Sequence, residues 1–295
     1  MKTLAITGLS GVIGTALLSR LNAFDYHIYD LYRSRRCLEK RTVKKHIPFD
    51  LLQKDQITRI LDLVKPDKIL HMAAITHIDT CETDKQNGKN GVVWKTNVEG
   101  TREIAAFGKR NNVPILYMST ECVFDGKKEF YDESSKKNPL NWYGRTKSEA
   151  EDIILSSNSR ATIIRAVMVY HKRDNGKTLF GKIYNVLKKD LSVQAVSDQF
   201  ITPTYTYDVT RTIQHYLSHE TPGIYHVSSN QASTPFRFAE LIANAYQYRP
   251  TRIHKITLDK FYGHERAALR LRHACLWTTT APMALSPQIV LGNTA

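Results

Sequence analysis

The sequence predicts an α/β fold: a doubly wound parallel sheet over residues 1–170, with a smaller C-terminal α/β part formed by 171–205 and 228–295. Three observations predict it. Apolar, β-branched runs alternate with helix-periodic runs through the first two thirds of the chain. That alternation requires right-handed βαβ crossovers and a sheet covered on both faces. A glycine-rich turn, TGLSGVIG, joins the first strand-like run to the first helix-like run. After Tyr170 the alternation loosens, and segment 206–227 is expected to pack back onto the first domain.

The elements follow in order. KTLAITG (2–8) is an apolar strand, and VIGTALLSRLNAF has helical apolar spacing. YHIYDLYR and KKHIPFD read as two further strands. QITRILDLVK is helical and stops at Pro66, because proline cannot continue a helix. KILHMAAI is a buried strand, VVWKTNVEGTREIAAFGKRNN one long helix, and PILYMST a strand. A helix follows PLNWYG, and ATIIRAVMVY is a strand. Beyond the polar loop HKRDNGKT come a helix in LFGKIYNVLKK, a short strand in LSVQAVSDQ and a helix in TYDVTRTIQHYLSH. GIYHVSS reads as a strand and FRFAELIANAYQY as an amphipathic helix.

Composition narrows the function classes. At 295 residues, 42% hydrophobic and 24% charged, the chain has the makeup of a soluble globular protein. No apolar run approaches the roughly 18 residues needed to span a bilayer, so no membrane partner is expected. MKTLAITG reads directly as a strand, not as a signal peptide, and no Asn-x-Ser/Thr site occurs. Cys37, Cys81, Cys122 and Cys275 include no C-x-x-C pair; neither a metal site nor a disulfide framework is expected, and a reduced, cytoplasmic protein is the simplest reading. The net formal charge of +14 is spread along the chain, densest in RSRRCLEKRTVKK at 33–45. A spread charge of this sign suits phosphate-bearing small molecules better than nucleic acid.

The glycine turn carries the first functional expectation. Gly8, Gly11 and Gly14 stand at G-x-x-G-x-x-G spacing around Val12 and Ile13. Glycines there permit a tight turn and close approach of a pyrophosphate to free N–H groups at the helix start, as in a Rossmann-type dinucleotide site. The end of the second strand distinguishes the dinucleotide. A carboxylate there suits the ribose hydroxyl of NAD, and arginine suits the 2′-phosphate of NADP. Arg33, Ser34 and Arg35 lie at that end, whereas Asp30 falls earlier. NADP(H) is favoured; NAD(H) stays open if the register moves Asp30 to the strand end.

Two Tyr–Lys pairs have i, i+4 spacing: Tyr143–Lys147 and Tyr184–Lys188. On one helix face, an ammonium beside a phenol lowers its pKa and makes it a usable proton donor and acceptor. Tyr184 falls between Phe180 and Leu187 at helical spacing, which core packing explains. Tyr143 follows the PILYMST strand by one loop, and that strand's carboxyl end presents Ser119, Thr120 and Glu121. Ligands of doubly wound sheets bind at such ends, so Tyr143–Lys147 is the favoured pair, with Thr120 polarising the substrate oxygen.

TGLSGVIG, HMAA, KTNVEGT, STECVFDG and PLNWYGRTKSEAE, in that order, resemble the extended short-chain dehydrogenase/reductase superfamily, and more narrowly its dTDP-4-dehydrorhamnose reductases, over about residues 1–245. The resemblance implies Tyr143 as proton donor, Lys147 as nicotinamide-ribose ligand, Thr120 as the contact to the reacting oxygen and Asn97 as support of a proton-relay water. It implies Asp50 and Leu51 beside the adenine, and Ala73 and Ala74 near the cofactor. The substrate contacts it implies are Glu121, Val123, Phe124, Arg165, and Gln199 and Thr204 of SDQFITPTYTYDV. Glu121 and Cys122 depart from the family's Asp-Tyr, and the tail from Ala267 departs from its Arg-Pro pattern. The function implied is NADPH-dependent reduction of a nucleotide-diphosphate 4-keto sugar. An epimerase or dehydratase of the same superfamily, and a non-catalytic NADP-binding subunit such as the methionine adenosyltransferase β subunit, are alternatives. A homodimer stays open.

Overall fold

The computed structural model describes residues 1–21, 25–34, 43–172 and 176–279. The chain divides into two compact units. The first comprises 1–123, 141–165 and 210–225; the second comprises 124–140, 166–209 and the residues from 226 onward. Segment 124–140, which the sequence places inside the first domain, groups with the second unit, and the later division falls at Arg165, where the sequence places it at Tyr170.

Through the first unit the elements run β1 (Lys2–Thr7), α1 (Val12–Leu18), β2 (Tyr26–Tyr32), β3 (Val43–Pro48), α2 (Lys54–Val64) and β4 (Lys68–His71). Then come α3 (Ile78–Asp84), α4 (Val92–Trp94), α5 (Gly100–Asn111), β5 (Ile115–Thr120), α6 (Trp142–Ser157) and β6 (Thr162–Ala166). With β7 (Val169–Tyr170), α7 (Leu179–Leu187), β8 (Val193–Val196), β9 (Phe200–Ile201), β10 (Thr204–Tyr205), α8 (Thr206–Ser218) and β11 (Gly223–Val227) the chain passes through the second unit and back. The main sheet has the order β11-β6-β5-β4-β1-β2-β3. The pairs β1·β2, β1·β4, β2·β3 and β4·β5 are all parallel. This is the expected doubly wound, Rossmann-type sheet, whose strand order reverses between β1 and β4. The middle of its central strands is apolar: Leu4, Ala5, Ile6, Ile69 and Leu70 have no exposed surface.

Local chemistry sets the helix ends. Lys65 takes a left-handed conformation (φ 48°) at the end of α2, just before Pro66, and Asn112 (φ 53°) does the same after α5. Asn141 caps α6, its side chain accepting from the Gly144 N–H at 2.7 Å.

Two expected elements come apart. The long helix expected over 92–112 contains a π-helical turn, Lys95–Glu99, where Thr101 Oγ1 donates to the Asn97 carbonyl at 2.7 Å. ATIIRAVMVY is not one strand. Met168, at φ 39°, breaks it, and Val169–Tyr170 pairs with Thr204–Tyr205 in a separate two-stranded sheet. The helix expected to run from Val12 toward Phe24 ends at Leu18.

In the second unit α9 (Pro235–Ala245) packs with α7 around Phe180, Ile183, Phe238 and Ile242. β12 (Ile253–Ile256) pairs with β8, and β13 (His273–Ala274) pairs with β9. The described part of the tail, through Thr279, is held by several hydrogen bonds. Gln199 Nε2 donates to the Leu271 carbonyl, the Tyr131 N–H to that of Cys275, and the Trp277 N–H to that of Tyr131. Glu133 accepts from the hydroxyls of Thr278 and Thr279. Among the described residues no helix is long and apolar enough to cross a membrane.

Candidate active site

The glycine turn leaves β1 where the strand order reverses. Gly8 has φ +78°, and a Cβ there would lie 2.7 Å from the Ala73 nitrogen. Only glycine meets both conditions. A Cβ on Gly14 would overlap the Leu9 carbonyl, so the third glycine lets α1 sit on its own turn. Gly11 is looser, its nearest neighbour being the Gly8 oxygen, and it leads into Val12 and Ile13. Ala73 and Ala74 follow β4, alongside this turn, and the Ala73 N–H donates to Thr7 Oγ1 at 3.2 Å.

At the end of β2, Arg33 and Ser34 are both exposed; Arg35 lies outside the described residues. Asp30 pairs with Ile6 in register, is fully buried, and places Oδ2 2.8 Å from His46 Nδ1. It therefore cannot serve as a strand-end ribose ligand. Asp50 stays partly exposed, accepting from the Leu52 N–H. Leu51 is buried against Gly100, where a Cβ would lie 2.7 Å from its own Cβ.

The first unit brings Thr120, Glu121, Tyr143 and Lys147 together. Thr120 ends β5; its hydroxyl donates to Glu121 Oε2 at 2.7 Å and accepts from the Cys122 N–H at 3.3 Å. Tyr143, in the first turn of α6, has the Thr120 side chain beside its hydroxyl. Burial, then the charges of Cys122 and Glu121, push the Tyr143 phenol well above its ordinary value. Burial likewise raises the Glu121 carboxyl. Both residues keep a partly exposed edge, where solvent moderates these shifts.

The expectation that Lys147 lowers the Tyr143 pKa is not met. Lys147 Nζ donates to the Met118 carbonyl at 2.7 Å and sits 3.9 Å from the centre of the Tyr117 ring. It is 2% exposed, and burial lowers its own pKa to about 7 against the pull of Glu151. Tyr143 is thus held as a phenol, the form a proton donor needs.

Asn97 is held at several points. Its Oδ1 accepts from the Ile75 N–H at 2.8 Å, and its Nδ2 donates to the Ile75 carbonyl and to Thr146 Oγ1. Its backbone carbonyl takes Thr101. Asn97 clamps the segment after β4 to α6, and its Oδ1 and carbonyl oxygen each accept one of these bonds and keep a second lone pair.

Of the expected substrate contacts, Glu121 alone keeps an exposed edge. Val123 and Phe124 are fully buried, and Phe124 stacks on Tyr131 at 4.4 Å. Arg165 is 1% exposed and grips Glu151 with Nε at 2.9 Å and a terminal nitrogen at 2.7 Å. In the second unit, Gln199 holds the Leu271 carbonyl and Thr204 donates to the Thr202 carbonyl. The side chains of these five residues are buried and engaged within the fold.

Sequence reasoning missed the layer beneath. Glu151 lies one turn beyond Lys147 with no exposed surface, accepting from Ser119 Oγ at 2.5 Å as well as from Arg165. The signal was present as a second i, i+4 step, Lys147 to Glu151, on one helix face. His71, Thr7 and Thr101 form a second buried group that HMAA announced only as a histidine inside an apolar strand.

The model of the RmlD substrate binding domain family matches residues 1–286. A dTDP-4-dehydrorhamnose reductase of Sinorhizobium fredii is 26% identical over 92% of this chain and 88% of its own. The methionine adenosyltransferase 2 subunit beta of Bos taurus is 24% identical over 90% of this chain and 78% of its own. The crystal structure of a Bacillus anthracis dTDP-4-dehydrorhamnose reductase in complex with NADP superposes with a TM-score of 0.85 at 24% identity, covering 98% of this chain and 97% of that one. That likeness establishes the shared fold.

Proposed function

The chain belongs to the RmlD substrate-binding domain family, and on that premise we propose that it is a cytoplasmic, NADPH-dependent reductase of a nucleotide-activated 4-keto sugar. The observation that carries the reading is the convergence of Thr120, Tyr143 and Lys147 at the carboxyl end of β5, in the unit that holds the Gly8–Gly14 turn. The residues present fit the cofactor. Gly8 and Gly14 leave no room for side chains along the turn. Arg33 and Ser34 stand exposed where a 2′-phosphate needs partners, and Asp30 is turned into the core.

When bound, the dinucleotide supplies a hydride equivalent. The chain's own residues handle the oxygen. Thr120 moves its hydroxyl hydrogen from Glu121 to the substrate carbonyl oxygen and polarises it. Tyr143, kept protonated by burial and the Glu121 charge, gives its proton to that oxygen. Lys147, fixed by the Met118 carbonyl, holds the ribose side of the cofactor. The spread positive charge of the chain favours a diphosphate substrate.

NADPH oxidation measured against a panel of dTDP- and UDP-linked 4-keto sugars tests the reading. Net consumption with at least one sugar is expected; binding without consumption of NADPH across the panel overturns it. The NADP preference is tested separately by Arg33→Ala, which is expected to weaken NADPH about tenfold or more and NADH little. Likeness to the bovine subunit beta favours a second reading, an NADP-binding regulatory subunit. Co-purification with a larger enzyme, together with function indifferent to Tyr143→Phe, would select it.

A further inference from the structure

The sheet register aligns Thr7, His71 and Tyr117 as neighbours on β1, β4 and β5. His71 is completely buried, at the point where the strand order reverses. Its Nδ1 is 2.7 Å from Thr7 Oγ1 and its Nε2 is 3.0 Å from Thr101 Oγ1.

The neighbours assign every proton. Thr7 Oγ1 accepts from the backbone N–H groups of Met72 and Ala73, both at 3.2 Å. Those two bonds fill its lone pairs, so its single hydrogen points at His71 Nδ1. Nδ1 is then the bare acceptor, and Nε2 carries the hydrogen and donates to Thr101. Thr101 donates onward to the Asn97 carbonyl at 2.7 Å. The opposite tautomer would set two hydrogens against each other at Thr7. Burial, and after it the charge of Lys147 on α6, drop the His71 pKa to about 3, so the ring stays neutral.

The chain does not end at Asn97. Its side chain binds both backbone groups of Ile75 and donates to Thr146 Oγ1 at 3.0 Å. Thr146 in turn donates to the Tyr143 carbonyl at 2.8 Å. One end of the network therefore fixes the backbone of Met72–Ala73 against the Gly8 turn. The other fixes the first turn of the helix that bears Tyr143.

We propose that His71, locked in its Nε2–H tautomer by Thr7 and Thr101, is a positioning residue that joins the cofactor cradle to the helix carrying Tyr143. The functional meaning of both ends rests on the cofactor reading above; the hydrogen-bond chain itself does not.

Two substitutions separate the halves. His71→Asn retains an acceptor near the Nδ1 position for Thr7 and loses the donor to Thr101. His71→Gln retains a donor near the Nε2 position and loses the acceptor. His71→Asn is expected to keep the NADPH dissociation constant within about threefold while amide hydrogen exchange over residues 143–147 quickens roughly tenfold, the scale of one lost buried hydrogen bond. His71→Gln is expected to do the reverse, with NADPH weakened roughly tenfold and exchange quickened at 72–75. Equal effects of both variants on both readouts would reduce His71 to generic packing and overturn the proposal.

The wild-type ¹⁵N spectrum of the imidazole supplies an independent test that needs neither variant nor nucleotide. An Nε2–H tautomer that does not titrate between pH 5 and 8 is expected; an Nδ1–H tautomer, or titration in that range, overturns the proposal even if neither variant folds. Failure of wild-type protein to bind NADPH would defeat the cofactor reading and leave the tautomer test standing.

Discussion

Tyr143–Lys147 and Tyr184–Lys188 have the same spacing and unlike surroundings. Lys147 lies inside α6, buried, with its ammonium on a backbone carbonyl at the end of β5. Lys188 is exposed at the end of α7, its Nζ 5.9 Å from the Tyr184 ring centre. Tyr143 meets Thr120, Glu121 and Cys122; Tyr184 packs among rings, Phe180 at 5.6 Å, Tyr246 at 4.9 Å and Tyr248 at 5.9 Å. Spacing brings a Tyr and a Lys to one helix face. What the strand end opposite supplies decides whether they form a site or part of a core.

The sharpest way to break this comparison is to remove each phenol oxygen. Tyr143→Phe is expected to lower kcat/KM by about 10²–10⁴-fold, the usual worth of a general acid, with NADPH affinity within about threefold. Tyr184→Phe keeps the ring stack and is expected to leave steady-state kinetics unchanged. Equal losses would erase the distinction.

The buried layer under Lys147 has no counterpart around Lys188. Arg165→Met leaves the Glu151 carboxylate buried without its guanidinium and is expected to cost about 3–5 kcal/mol in urea denaturation. Adding Glu151→Leu should recover more than half of that. Lys188→Met is expected to stay within about 0.5 kcal/mol.

Protonation gives a finer contrast. Folding lowers the Lys147 pKa from 10.5 to about 7. Below about 7 both folded and unfolded states carry the proton; between about 7 and 10.5 only the unfolded chain does. Lys147 therefore makes stability rise with pH across that window, by at most about 1.4 kcal/mol per unit. The stability–pH curve of Lys147→Met should lack this component, whereas that of Lys188→Met should overlay the wild type. A parallel pair of wild-type and Lys147→Met curves would refute the lowered pKa.

Much of the fold was legible because it rests on local periodicity. Strand and helix alternation through Arg165, the stop before Pro66 and the turn around Gly8 are all set by residues adjacent in sequence. What was not legible depended on distant partners. Met168 leaves the strand where Val169–Tyr170 finds Thr204–Tyr205, 35 residues on by register. The π-turn at Lys95–Glu99 accompanies the Asn97 clamp on Ile75 and Thr146. Arg165, read as a substrate ligand, is held by Glu151, because a guanidinium on a fully buried strand needs a carboxylate within reach.

The sequence by itself determined the order of the elements, the glycine turn and the spacing of Tyr143 and Lys147. These follow from backbone sterics and side-chain period, which act within a few residues. Only the tertiary structure decided which hydroxyls and charges meet. It gave Thr120 to Glu121 and Lys147 to Met118, turned Asp30 onto His46, and linked Thr7 through His71 and Thr101 to Asn97, and Asn97 to the helix of Tyr143. The reason is that a hydrogen bond tolerates only a few tenths of an ångström, and that precision is set by packing between strands and helices far apart in the chain.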